Sequence, residues 1–268
     1  MKKQAGNVSE PLDSGQAGAA EQRETAAHYE TLIRDLTLPQ GWSVAVDEII
    51  AQPQVRLDAE HYDPLVRANH KALSALGYDL VPLSEFASIR LPGLFTRIWA
   101  KDDGHGLPYI NATDLMSYFA LGMPAQERFL SFASQVNMSN LILRQGMILL
   151  TCSGTIGRVF DVPPALDGVA GTHDIVRIIP HEPHFRGFLR AYLTTRWAQI
   201  QILSHTHGGQ IDHVTDQQVA SCLVPRLPDK VVRDISRRVD EADAGRSASL
   251  AALEGLVGDL NEALTNAE

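Results

Sequence analysis

The residues best equipped for chemistry in this 268-residue chain are its histidines and one glycine-rich loop. His205-x-His207 with His213 close behind, and His181 with His184, have spacings at which imidazoles could share a metal ion. The helical His-Glu-x-x-His pairing is absent. Solvated or phosphate-contacting loop histidines are therefore expected, and no metal. Ser153-Gly154-Thr155-Ile156-Gly157 lies between two β-prone runs. A phosphate cradle needs a helix N-terminus to follow, and none is predicted there. A tight hairpin is expected instead, with glycine supplying positive φ. Its tip carries Ser153, Thr155 and Arg158, polar groups able to touch a nucleic-acid backbone or base edge.

The signatures of catalysis are missing. No G-x-x-x-x-G-K-[ST] loop occurs, and no G-x-S-x-G that would make Ser153 a nucleophile. None of Lys2, Lys3, Lys71, Lys101 and Lys230 follows a carboxylate at the spacing of a metal-dependent nuclease. Asp161-Val162-Pro163-Pro164-Ala165 lacks the aromatic residue with which amino-methyltransferases hold a target base. No known catalytic motif is legible in the chain.

Hydrophobic residues make up 44% and charged residues 21%, enough for a sizeable core. The net charge of −9 excludes a protein that coats nucleic acid by bulk positive charge. It is unevenly spread. Residues 1–80 carry −5, residues 81–215 are neutral and hold seven of the ten histidines, and residues 216–268 carry −4. Only the central region faces a polyanion without net repulsion. Cys152 and Cys222 stand alone and far apart, which argues against a disulfide framework and fits a reducing compartment. No apolar run is long enough to span a membrane, and the N-terminus has no apolar signal segment; a cytoplasmic protein is expected.

The elements that must position these residues follow from the pattern. Residues 1–22 read as a disordered tail and 23–80 as an N-terminal helical extension. Within the extension, Glu24–Leu36 has helical spacing, Trp42–Ile50 is β-prone, and Asp63-Pro64 opens a helix that Gly77 stops. Residues 81–228 mix strands (Leu107–Asn111, Met147–Cys152, Gly157–Val162, Asp174–Ile179, Cys222–Val224) with a helix over Phe185–Leu203. Trp42, Trp99, Trp197 and Tyr109 are expected to pack inside. Residues 229–268 form one long helix of roughly 55 Å. Val232, Ile235 and Val239, then Leu253, Leu256 and Leu260, mark a narrow apolar seam that calls for a partner helix. Arg246 and Gly245, Gly255 and Gly258 interrupt or weaken it. The fold class is mixed α/β.

An ordered set of short motifs adds to this. Gly106-Leu107-Pro108-Tyr109-Ile110 precedes Asp114-Leu115; Gly146-Met147-Ile148-Leu149-Leu150 runs into Gly154-Thr155-Ile156-Gly157. Thr172-His173-Asp174-Ile175-Val176-Arg177, Gly208-Gly209-Gln210 with His213, and Leu223-Val224-Pro225 before the last helix complete it. The Arg56–Pro64 segment also resembles one found ahead of such domains. Over about residues 55–265 the chain resembles the target recognition domain of the specificity subunit of type I restriction–modification systems, or of related methylation-associated defence systems. It departs in size, with one recognition domain and one helix where the family usually carries two domains.

The resemblance implies a DNA target recognition domain with a twisted mixed sheet, followed by a coiled-coil-type helix. It implies a subunit that binds double-stranded DNA and directs a partner methyltransferase, and with it a restriction subunit, to a motif. The alternatives are a defence-complex adaptor that uses only the helix, and a metal enzyme or hydrolase using the histidine-rich loop. DNA contacts are expected from Arg97, Lys101, His105, Ser153, Thr155, Arg158, His173, His205, His207, Gln210 and His213. The chain itself needs no cofactor on this reading; S-adenosylmethionine, and Mg with ATP, belong to the partner subunits. Two copies could pair their helices and read a palindromic bipartite site.

Overall fold

A computed structural model describes residues 42–51, 55, 57, 62–121, 128–205 and 213–265. The expected tail and the Glu24–Leu36 helix lie outside these residues. The chain divides into two units, 1–55 and 56–268. In the first, the β-prone Trp42–Ile50 run contains instead a one-turn helix, α1 (Val46–Ile50). Asp47 and Glu48 sit in its first turn, where acidic groups favour a helix.

The second unit opens with helix α2 (Pro64–Ala75), capped as the sequence indicates: the Asp63 carboxylate accepts the Leu65 N–H at 2.7 Å and proline takes the first helical position. A four-stranded sheet follows the order β2 (Ala87–Arg90), β9 (Ile175–Pro180), β6 (Ile148–Thr151), β7 (Val159–Asp161), antiparallel throughout. A second four-stranded sheet runs β3 (Trp99–Ala100), β5 (Phe129–Ser131), β4 (Gly106–Ile110), β8 (Ala170–Gly171), with β4 and β8 parallel. A two-stranded ribbon pairs β1 (Leu80–Pro82) with β10 (Leu223–Pro225).

Strand periodicity assigns the core. On β6 and β9, Ile148, Leu150, Val176 and Ile178 point to one face and join Phe188, Leu189, Leu193 and Ile202 from the helices below. Leu149 and Ile175 point to the other, with Ile110, Leu115 and Leu143. Both faces are covered, so β6 is a continuous apolar run. Tyr109, Leu130, Leu141 and Ala170 form the core of the second sheet. Trp99 does not join it: half of that indole is exposed, resting edge-on against Tyr109 at 5.3 Å. Trp42 is likewise exposed.

The helix expected over Phe185–Leu203 is two, α4 (Arg186–Thr194) and α5 (Arg196–Ser204). Thr195 leaves helical geometry at ψ 154° and its hydroxyl accepts the Ala198 N–H, so it caps the second helix and ends the first. Helix α3 (Ala112–Leu121) and the short α6 (Asp216–Ala220) complete the body.

The last helix, α7, runs unbroken over Asp229–Thr265. Its first half is fastened to the body. Val232 is 3% exposed in this chain's own core with Ile235 against it, so these two seam positions are filled from within rather than by a partner helix. A Cβ on Gly187 would meet the Ser236 backbone at 2.6 Å, a close crossing that only glycine permits. The Ser236 hydroxyl accepts the Phe188 N–H and donates to the His184 carbonyl. Arg186 and Arg190 of α4 bridge Asp161 on β7 to Asp240 and Asp243 on α7, with Arg190 2.7 Å from Asp161. Arg246 donates to the Phe119 carbonyl and lies over its ring at 5.0 Å. The arginine that interrupts the sequence seam therefore docks the helix. Beyond Leu250 the described side chains are exposed, including Leu253, Leu256, Val257, Leu260 and Leu264.

Burial and the facing Asp243 carboxyl push Asp161 up to about 7, against the pull of Arg186 and Arg190. A carboxyl raised on folding holds its proton more tightly in the folded chain. Its stabilising contribution is full below about pH 4 and is lost as pH rises through about 7. The urea midpoint should therefore fall between pH 5 and pH 8, and Asp243→Asn should flatten that dependence. An equally steep fall in the variant would contradict the assignment.

Candidate nucleic-acid interface

The hairpin expected at residues 153–157 is present between β6 and β7, with Gly154 at φ +67° and Gly157 at φ +86°. Its tip is held from two sides. The Thr151 hydroxyl donates to the Thr155 carbonyl at 2.5 Å and accepts the Arg158 N–H. The Gln199 amide of α5 donates to the Gly157 carbonyl at 2.9 Å. Positive φ requires glycine at 157, and a Cβ there would also meet the Gln199 amide at 2.4 Å and displace it.

Cys152 stitches the hairpin base to two other segments. Its N–H donates to the Asp174 carbonyl and its carbonyl accepts the Val214 N–H. Ser153 forms a β-bridge with His213. Burial pushes the Cys152 and Cys222 thiols up to about 12, which leaves neither as a thiolate nucleophile.

His173 sits in the resulting corner. The Arg97 guanidinium, which can only donate, approaches its Nδ1 at 3.5 Å, and its Nε2 lies 3.4 Å from Asp174. Burial, Arg97, Arg177 and His213 together hold its pKa below the ordinary histidine value, against Asp174. The ring is thus kept neutral at neutral pH, a donor and acceptor rather than a cation. Arg97 also donates to the Tyr109 hydroxyl at 2.9 Å and to the Thr172 hydroxyl at 3.2 Å, and pairs with Asp174 at 3.6 Å. Phe95 packs edge-on against His173.

The structure therefore brings Arg97, Ser153, His173 and His213 together from four separate segments, with Thr155 and Arg158 on the adjoining tip. Arg158 is exposed and has no ion-pair partner among the described residues. Lys101 and His105 are not joined to this cluster by any hydrogen bond or ion pair among the described residues. They lie on the exposed 101–105 turn, where Asp102 accepts from His105 at 2.6 Å and raises its pKa. His205 ends α5 and is half-buried. His207 and Gln210 lie outside the described residues. Among those described, no group of three His, Cys, Asp or Glu is placed to hold a metal, and no helix is long and apolar enough to cross a membrane.

The frame beneath was not among the predicted site residues. Arg177 is 2% exposed and donates to the carbonyls of Leu141, Gly171, Thr172 and Ile175 at 2.5–3.2 Å. Burial pulls its pKa down to about 10, which leaves it charged at neutral pH. A Cβ on Gly171 would meet Leu143 at 2.9 Å and the Arg177 guanidinium at 3.0 Å. The signal was present as a lone charge inside Ile175-Val176-Arg177-Ile178-Ile179.

No family model and no curated protein matches the sequence. Solved structures do match. The HsdS subunit from Thermoanaerobacter tengcongensis is 16% identical with a TM-score of 0.43, over 90% of this chain and 48% of that one. The type-I restriction-modification system S subunit from M. genitalium is 13% identical at 0.43, over 67% and 42%. These neighbours are specificity subunits. The type IIG restriction endonuclease BpuSI is 10% identical at 0.43, over 68% and 28%. The chain spans about half the length, or less, of each.

Arg177→Met keeps an unbranched apolar stem and removes the guanidinium donors from four buried carbonyls. Leaving such groups unsatisfied should lower unfolding stability by at least about 3 kcal/mol in urea denaturation. A loss below about 1 kcal/mol would show that the guanidinium is not the clamp.

Proposed function

We propose that the chain is a non-catalytic subunit that reads a double-stranded DNA motif and directs a partner methyltransferase, and with it a restriction subunit, to that motif. The observation that carries the reading is the convergence of Arg97, Ser153, His173 and His213 on one hydrogen-bonded frame beside the exposed Arg158. The ordered motifs that produce this arrangement are those in which the sequence resembles a target recognition domain.

The chemistry suits readout. The neutral His173 imidazole and a serine hydroxyl donate and accept at base edges, and arginine offers the fork that fits guanine. The Arg97 and His173 side chains are held from below by Thr172, Tyr109 and Asp174, so these two have little freedom left to lose on binding. The negative charge of the whole chain makes unaided binding weak and salt-sensitive. Affinity then comes from assembly, with S-adenosylmethionine, Mg and ATP held by the partners. The bare seam of Leu253, Leu256, Val257, Leu260 and Leu264 supports docking on a helix of the methyltransferase or of a second copy. That seam also favours the second reading, an adaptor that holds a complex together and never contacts DNA.

Selection from a randomised duplex pool at about 50 mM salt separates them. The DNA-reading chain should enrich one motif, and His173→Ala should relax the preference at one base pair by roughly tenfold. An unenriched pool, retained equally by Arg158→Ala and His173→Ala, would favour the adaptor.

A further inference from the structure

On the face of the four-stranded sheet opposite α4 and α5, Arg90 and Arg177 are direct cross-strand partners in the β2–β9 register. Directly opposed residues share a face with Cβ atoms about 5 Å apart, and like charges so placed repel. The described residues provide Arg90 with no ion pair. Arg177 makes its four hydrogen bonds through its terminal nitrogens, and its Nε is buried with no acceptor. Both arginines line a cavity of about 280 Å³ that also receives Asn140, Gly93 and Asp216. That volume is several times the roughly 30 Å³ of one water, room for a phosphate group. Among the described residues Asp216 is the only acid in the lining, and its carboxylate also accepts the Gln217 N–H. Two cross-strand arginines lining one cavity, one donor without an acceptor and, among the described residues, a single competing carboxylate make a site that asks for an anion.

We propose that this cavity is an oxyanion site of the phosphate-ester class, occupied in the DNA-bound chain by a backbone phosphate. The assignment of the occupant rests on the DNA-reading function. The site shares its frame with the reading cluster. Arg177 holds the Gly171 and Thr172 carbonyls, and the Thr172 hydroxyl in turn accepts from Arg97 and donates to Asp174. A phosphate seated against Arg177 and Arg90 fixes the register in which Arg97 and His173 meet the bases. Arg90 is exposed, so a duplex backbone reaches it without unfolding the sheet.

The test is a nitrogen-15 spectrum of the arginine Nε–H groups of the full chain, with the Arg177 resonance assigned through its side-chain carbons. It is titrated first with inorganic phosphate and then with a random-sequence duplex. Both should shift the Arg177 resonance, and Arg90→Ala should abolish the phosphate response. The same variant should weaken duplex binding about five- to tenfold at ~0.1 M salt, reduce the log–log salt slope by about one, and leave sequence preference unchanged. Because Arg90 is exposed, its removal leaves the core intact. Duplex binding with unaltered affinity and slope in Arg90→Ala, with no phosphate response in the parent chain, overturns the site and leaves the DNA-reading function standing. A phosphate response that needs Arg90, in a chain that binds no duplex, retains the oxyanion chemistry with free phosphate as its source and overturns the DNA occupant.

Discussion

One buried guanidinium sets the geometry on which the rest of this structure depends. Arg177 belongs to the central strand β9 of one sheet, yet its hydrogen bonds go to Leu141, Gly171 and Thr172 on the segments that build the other. Burying an isolated charge is costly, and four carbonyl acceptors are what make this one tolerable. The packing is tight at Gly171, where a Cβ would press on Leu143 and the guanidinium. Everything on the candidate reading face hangs from that clamp. Thr172 and Asp174 are placed by it, Arg97 and His173 are placed by them, and Cys152 ties the hairpin tip and His213 to the same loop.

A second set of contacts transmits that geometry to the C-terminal helix. Gly187 lets α7 cross α4 closely, Ser236 bonds to both ends of the crossing, and Arg186 and Arg190 bridge β7 to the helix. Arg246 against Phe119 adds a further fixed point one turn on. Past Leu250 these contacts stop, and about 15 residues, roughly 22 Å of helix, carry an apolar stripe with nothing from the described residues against it. On the proposed reading, this helix end is where a partner would be gripped at a set distance from the reading face.

Much of this was legible in the sequence where the signal is local. Asp63-Pro64 marks a helix start because both residues act on their own turn. Gly154 and Gly157 mark a hairpin because a tight turn needs positive φ. The 37-residue helix is announced by its periodicity. Thr195 was misread because apolar spacing continues through it while a side-chain cap splits the helix. The seam was legible only by half: periodicity says that Val232 and Leu253 both need cover, but not that the chain's own core supplies it for the first and not the second. The clamp at Arg177, its pairing with Arg90 and the Asp161–Asp243 contact join residues far apart in sequence, and no local pattern encodes which strands are neighbours.

The proposed role, choosing a DNA sequence for a methyltransferase, is checked by a genome-wide map of methylated bases in the native host, with and without the gene. Deletion should erase one methylated motif and the intact gene restore it, while a copy carrying His173→Ala and Arg158→Ala should not. A palindromic bipartite motif would further point to two copies joined through their distal helices. An unchanged map in cells shown to express the partner methyltransferase would contradict the account.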